Sequence, residues 1–213
     1  MILQKSYNLI QYNSERLNMS TTTTIYFIRH GETEANGLRI FQGRLDTPLT
    51  EKGKQQILST CKDIQNMNLK WNVIYCSPLG RAKETCEIVT SYFPRRKPVI
   101  YTDEVIERAF GKAEGIKINE INYHRIMKGE FEGEETEEEI IKRANDFIQR
   151  ILKDHFCKEV LVITHSHFLK ACFIPYLNNL KFNSKTTNGG LSVLKFNNFN
   201  HIKLAMMDIN QTK

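Results

Sequence analysis

The chain has 213 residues, 40% hydrophobic and 25% charged, with a formal net charge of +6, which suits one domain with a real core. Its apolar runs are strand-sized, excluding a membrane-spanning segment, and its basic residues are dispersed without an aromatic-basic stripe, arguing against a nucleic-acid partner. Five scattered cysteines (Cys61, Cys76, Cys86, Cys157, Cys172) imply free thiols in a reducing, cytoplasmic setting rather than a disulfide framework or zinc knuckle.

Residues 1–24 are polar, end in Ser20 and four threonines, and lack the apolar core of a secretory signal. They are expected to form a disordered tail, with 25–213 as a single domain; Met19 is an alternative start. Ile25–Ile28 reads as the first strand. Thr50 can cap a helix whose apolar positions Ile57, Leu58, Cys61 and Ile64 share a face. After a strand at Val73–Cys76, Ser77-Pro78 reads as an N-cap followed by proline at the first helical position. That helix should bury Ala82, Cys86 and Val89. Val99–Tyr101 is the third strand. Between Gly115 and Glu139 no element is readable.

Residues 130–139 hold seven glutamates and no basic side chain, so the rest of the chain carries +13. That field suits a small anionic ligand, though charge runs are commonly solvated faces. Glu137, Glu138 and Glu139 suit the positive start of a helix with the stripe Ile140, Ala144, Phe147, Ile148 and Ile151. A strand at Val160–Thr164, a buried helix at Phe168–Leu177 with Pro175 near its end, and strands at Leu191–Phe196 and about His201–Met206 complete the chain. Alternating strands and helices imply an α/β fold with a largely parallel sheet covered on both faces.

Ligands in such sheets bind outside the carboxyl ends of the strands. Arg29 and His30 end the first strand, Ser77 and Arg81 follow the second, Glu107 follows the third, and His165 ends the fourth. These side chains suit phosphoryl transfer, which needs a nucleophile, fixed cations and a proton source. An imidazole neutral at pH 7 can attack phosphorus, so His30 is the expected nucleophile, with Gly31 allowing a sharp turn. Arg29 and Arg81 can grip phosphate oxygens bidentately. His165 would add a second imidazole, carrying charge if protonated. Glu107 is the expected proton donor and later base, with Glu114 as runner-up. Metal binding by His165-Ser166-His167 is disfavoured, because residues two apart on an extended segment point to opposite sides and no third ligand is spaced to join them. His124 and His155 read as structural.

Together these residues resemble the histidine phosphatase superfamily, in its phosphoglycerate mutase-like branch (branch 1). The resemblance runs from Ile25 to about Phe196. It rests on Arg29-His30-Gly31-Glu32-Thr33 with Asn36, on Phe41 to Thr50 with Gly53, on Ser77 to Ala82 with Thr85, on Glu107 to Gly115, and on Thr164-His165-Ser166. It implies a three-layer α/β/α sandwich with a roughly six-stranded sheet, no cofactor and no metal. His30 would be the phosphorylated residue, with Glu107 as acid/base. Arg29, Arg81 and His165 would form the phosphate pocket, joined by Asn36, Gln42, Gly43 and Ser166. Many relatives carry Trp where this chain has Ala35 and Ala113, so room beside the pocket is expected. His167 is unusual and could touch substrate, and Glu135 stands where a serine is common.

Mutases of this branch carry a long insertion and an arginine pair after the glutamate; here 58 positions separate Glu107 from His165, and no arginine pair lies between them. The expectation is therefore hydrolysis of a small phosphate ester through a phosphohistidine, independent of metal. Phosphoglycerate mutase, a fructose 2,6-bisphosphatase-like activity and an idle scaffold of the same fold are the alternatives. The sequence carries no signal for oligomeric state.

Overall fold

The computed structural model describes residues 22–210. Six strands make one sheet: β1 (Thr22–Arg29), β2 (Val73–Cys76), β3 (Val99–Tyr101), β4 (Glu159–Thr164), β5 (Leu191–Asn197) and β6 (Ile202–Met206), in the order β3-β2-β4-β1-β5-β6. β3, β2, β4 and β1 run parallel, whereas β5 and β6 are antiparallel additions at one edge. Central strands buried on both faces read as continuous apolar runs, and Ile25–Ile28 and Val160–Ile163 are such runs. The expected tail over 1–24 lies outside the described residues except for Thr22–Thr24, which extend β1 and bury Thr23 and Thr24.

Successive side chains of a strand point to opposite faces, and the two cores separate accordingly. Ile25, Phe27, Val160 and Val162 pack against α5 (Glu137–Asp154) and α6 (Ser166–Phe173). Tyr26, Ile28, Leu161 and Ile163 pack against α2 (Glu51–Asn66) and α3 (Gly80–Tyr92). This is the three-layer α/β/α arrangement. The short α1 (Glu34–Gly37) and α4 (Glu120–Met127) belong to neither layer. A third small cluster of Phe41, Phe110, Ala113 and Ile126 lies apart from both cores. Among the described residues no helix is long and apolar enough to cross a membrane.

Local chemistry explains most helix ends. The Thr50 side chain accepts from the Gly53 amide, and Thr136 forms a capping box with Glu139, so α5 opens with three acidic residues against its positive end. Thr60 rather than Leu58 completes the buried face of α2, because its hydroxyl donates to the Gly189 carbonyl at 2.6 Å. Two starts differ from expectation for one reason. Helix α3 begins at Gly80 with no cap from Ser77; the Asp46 carboxylate accepts from the Gly80 and Arg81 amides instead. Helix α6 begins at Ser166, ahead of Phe168, because the Glu107 carboxylate accepts from the His167 and Phe168 amides. Both caps come from distant carboxylates. The turn after α6, Ile174–Tyr176, is 3-10 and contains Pro175.

Strand register sets the site. Arg29 lies opposite Thr164 and Cys76 opposite Ile163, so β1, β2 and β4 end level. The His30 amide donates to the Thr164 carbonyl at 3.0 Å, and the Ser77 amide to the Ile163 carbonyl at 3.0 Å. His30, Ser77 and His165 are thereby neighbours before any side chain is considered.

Candidate active site

His30 is 2% exposed. Its Nδ1 lies 2.7 Å from the Gly31 carbonyl; a carbonyl only accepts, so Nδ1 carries the proton and Nε2 presents its lone pair. Arg81 Nε donates toward Nε2 at 3.3 Å. Burial, then the positive charges of Arg81 and Arg29, hold the His30 pKa well below its ordinary value. The ring is therefore neutral at pH 7, as a nucleophile must be. Gly31 serves a close approach, since a Cβ there would collide with the Gly53 carbonyl.

Arg81 is 1% exposed, the first turn of α3 carrying it inward. Its Nη1 donates to the Leu45 carbonyl (2.8 Å) and Asp46 Oδ1 (3.3 Å), and its Nη2 to the Gly43 carbonyl (2.7 Å). Nε is the donor turned toward His30, so the loop at 43–46 fixes the guanidinium plane. Gly43 has φ +54°, and a Cβ there would strike the Glu114 carboxylate. Arg29 donates from Nη1 to Thr186, at 2.6 Å to the carbonyl and 3.3 Å to the hydroxyl. Its Nε is buried with no hydrogen-bond partner among the described residues. Burial lowers the Arg29 pKa to about 10, opposed by Glu107 and Asp208, so it stays charged.

The His165 ring lies 5.1 Å from that of His30, centroid to centroid, and is fully buried. Burial, with Arg81 next, pushes its pKa well down. A neutral His165 contributes a hydrogen bond to the site. Its Nε2 meets Ser77 Oγ at 2.7 Å, while Nδ1 has no partner among the described residues. Ser77 also accepts from the Leu79 amide at 3.4 Å. The residue taken from sequence as a helix cap instead orients an imidazole.

Glu107 is 6% exposed. Its Oε1 accepts from the amides of Arg108 (3.0 Å), His167 (3.0 Å) and Phe168 (3.2 Å), while Oε2 has only a 3.3 Å contact with the His167 amide. Oε2 is the freer oxygen. Glu114 is occupied elsewhere: it accepts from the Arg44, Leu45 and Phe110 amides and does not line the cavity, so its role as alternative acid/base is withdrawn.

A cavity of about 130 Å³ is lined by Arg29, His30, Asn36, Gln42, Gly43, Arg81, Glu107 and Ser166. His165, also read from sequence as a site component, is not in this wall but stands beside His30. Asn36 Oδ1 accepts from the Thr33 amide and Asn188 Nδ2, which turns its own amide donors the other way. Gln42 is held by Thr33 and Thr47, and Ser166 Oγ bonds Thr186 Oγ1 at 2.8 Å. The expected space beside Ala35 and Ala113 is absent: Ala35 is 4% and Ala113 0% exposed, and neither reaches the cavity.

Several participants were not anticipated. Asn188 donates to the His30 carbonyl (3.2 Å), the Gly189 amide meets the Arg29 and His30 carbonyls, and Thr186 holds Arg29. They precede β5, whose antiparallel direction brings its beginning to the edge where the parallel strands end. The glycine pair 189–190 marked a turn there; strand direction was the missing signal. Ile40, Phe41, Phe110, Ile118, Tyr123 and His167 form the rest of the wall. Among the described residues no group of three or more His, Cys, Asp or Glu could hold a metal ion.

A neutral buried imidazole between two fixed guanidiniums, at the carboxyl edge of a parallel sheet, defines a phosphoryl-transfer class of site. The profile of the histidine phosphatase superfamily (branch 1) matches residues 25–208, and the chain belongs to that family. It is 32% identical over 149 residues to the uncharacterized phosphatase PhoE of Bacillus subtilis, covering 70% of this chain and 75% of that protein. It is 29% identical over 153 residues to the 2,3-bisphosphoglycerate-dependent phosphoglycerate mutase of Thermoplasma acidophilum, covering 70% and 74%. The structure of a phosphoserine phosphatase mutant from Entamoeba histolytica with phosphoserine superposes with a TM-score of 0.74 at 25% identity, covering 89% of this chain and 98% of that one.

Proposed function

We propose that this protein hydrolyses a small phosphate monoester without metal, by way of a phosphohistidine at His30. The observation that carries this reading is the His30 tautomer: Nδ1–H is pinned to the Gly31 carbonyl, leaving the Nε2 lone pair to face an arginine. In the first step Nε2 attacks phosphorus, the N–P bond forms, and the ester P–O bond breaks. Arg81 Nε moves its hydrogen bond from Nε2 to a phosphoryl oxygen, and Arg29 Nε supplies a second donor. Glu107 gives a proton to the departing oxygen. In the second step water attacks phosphorus and gives that proton back to Glu107. The N–P bond then breaks, and phosphate leaves with His30 neutral again.

The relatives include both phosphatases and a mutase. Hydrolysis is favoured because, among the described residues, the cations lining the cavity are Arg29 and Arg81 alone, both beside His30, and no third one is placed there to hold a glycerate carboxylate. An idle scaffold is disfavoured by the complete set of reacting groups. The five free cysteines, four of them buried, support a reducing, cytoplasmic setting, and residues 25–213 are read as one domain. Hydrolysis of a chromogenic phosphomonoester in excess chelator tests the proposal. Turnover should persist, and labelled substrate should leave an acid-labile adduct on the wild type and none on His30→Ala. Turnover abolished by chelator, or no adduct despite turnover, overturns it.

A further inference from the structure

Residues 177–190, between the 3-10 turn at Ile174–Tyr176 and β5, form neither helix nor strand, yet three of them hold the phosphate end of the site. Thr186 accepts from Arg29 Nη1 at its carbonyl (2.6 Å) and its hydroxyl (3.3 Å), and that hydroxyl also bonds Ser166 Oγ. Asn188 donates to the His30 carbonyl and to Asn36 Oδ1. The Gly189 amide meets the Arg29 and His30 carbonyls. The Arg29 guanidinium is therefore placed only as firmly as the backbone at Thr186.

Lys170, on α6 one turn beyond Ser166, is 4% exposed. Its Nζ donates to the Phe182 carbonyl at 2.5 Å and to the Ser184 carbonyl at 3.2 Å. The carbonyls of Phe182, Ser184 and Thr186, at alternate positions along one stretch of chain, thus accept from two cations, Lys170 and Arg29. Among the described residues Lys170 makes no other hydrogen bond and no ion pair. Burying an ammonium without a carboxylate costs free energy, which charge-assisted bonds to the backbone offset. An apolar side chain of similar length would fill the same space without that cost, so what the ammonium adds is its hold on the segment.

We propose that Lys170 is a positioning residue for phosphate binding: its ammonium fixes the backbone at 182–186, and that backbone sets the Arg29 guanidinium that receives the phosphoryl oxygens. This rests on the phosphate-binding role given to Arg29 above. Burial lowers the Lys170 pKa to about 8; Glu107, from the segment after β3, opposes the shift, while Arg29 of β1 and Arg108 add to it. The neutral His167 ring, on the same helix, also lies in its field. The ammonium is mostly present at pH 7.5 and mostly lost at pH 9, leaving an amine that donates more weakly. The hold on Arg29 is full below the Lys170 pKa and weakens as pH rises through it.

Calorimetric binding of inorganic phosphate to the full chain tests this without relying on turnover. At pH 7.5, Lys170→Met should weaken phosphate binding about fivefold to tenfold, the worth of one hydrogen bond at Arg29. Lys170→Gln, which keeps two N–H donors, should lose less. Between pH 7.5 and 9 the wild type should lose about threefold in affinity relative to either variant, because neither carries the ammonium. In an Arg29→Met background, Lys170→Met should change affinity by less than about twofold, since the residue it acts through is gone. Thermal melts identify a variant that fails to fold, and the other then carries the comparison. Unchanged affinity in folded Lys170→Met, an equal pH response in a folded variant, or an undiminished effect without Arg29 overturns the proposal. A wild type that binds no phosphate at either pH overturns it too, and takes with it the hydrolase reading, which the other results leave standing.

Discussion

At the phosphate end of the cavity, Arg29 and His30 leave β1, His165 leaves β4, and Arg81 lies in the first turn of α3. The opposite wall comes from α4 and the turns around residues 40–41 and 110–118, tied together by a small apolar cluster. The first region is held by strand register and by hydrogen bonds that leave Arg29 Nε and His165 Nδ1 unpaired among the described residues. The second contains the unpaired Tyr123 hydroxyl and His167 Nδ1, with Arg108 and Glu134 behind it. Reacting groups belong on rigid elements, where a small displacement is expensive in rate. A wall that reads the leaving group can rest on shorter elements. Chemistry and selectivity should therefore respond differently to substitution.

The largest effect belongs to the rigid region. His30→Ala removes the nucleophile, and kcat should fall by at least about 10³-fold, while circular dichroism stays native. Residual turnover within tenfold of wild type would place the chemistry elsewhere. Glu107→Gln keeps an acceptor for the His167 and Phe168 amides but cannot deliver a proton. A loss of about 10²-fold is expected on alkyl phosphates, and a much smaller one on p-nitrophenyl phosphate, whose leaving group needs no proton. An equal loss on both would indicate that Glu107 only positions α6.

The same burial that keeps the imidazoles neutral makes the site acid-sensitive. His30, His165 and His167 are all held well below their ordinary pKa, so between the folded and unfolded values the unfolded chain binds more protons. Stability then rises with pH in that window and is lost as pH falls from about 7 through 6. Each such proton contributes up to about 1.4 kcal/mol per pH unit. Urea midpoints at pH 7.5 and 5.5 should differ clearly, and His167→Phe should reduce the difference. A flat profile would mean that these rings are not neutral in the fold.

The rigid region was also the legible one. Buried parallel strands announce themselves as apolar runs, and β2 and β3 fall on the residues expected from sequence. The rule that ligands meet strand carboxyl ends then brought Arg29, His30, Arg81, Glu107 and His165 together. Family resemblance, rather than spacing, supplied Asn36, Gln42, Gly43 and Ser166. What stayed hidden depended on contacts distant in sequence. Asp46 caps α3 from 34 positions away and Glu107 caps α6 from 60, so neither start could be read locally. Helix α4, with Ile126 buried and Ile121 73% exposed, has too short and broken an apolar face to show periodicity. Asn188 required the direction of β5.

The smallest expected effect links the two regions. Glu135, in the acidic run, pairs side-on with Arg143, each of two bonds 2.8 Å. Arg143 Nη1 in turn donates to the Glu104 and Ile106 carbonyls at 3.0 and 2.9 Å, and Arg108 Nε donates to the Glu135 carbonyl at 2.7 Å. This brace grips the segment carrying Glu107 from both sides, so the acidic run supports the proton donor as well as opening α5. Glu135→Ala keeps the backbone carbonyl and removes the carboxylate, leaving a partly buried guanidinium short of its partner. Stability should fall by about 1–3 kcal/mol. Turnover should fall about threefold to tenfold on poor leaving groups, with KM little changed, because binding of phosphate by Arg29 and Arg81 does not pass through this brace. Glu135→Gln, which retains one acceptor, should recover part of both losses. If KM rises instead and kcat holds, Glu135 belongs to the leaving-group wall, and the mechanical separation between catalysis and selectivity fails at this residue.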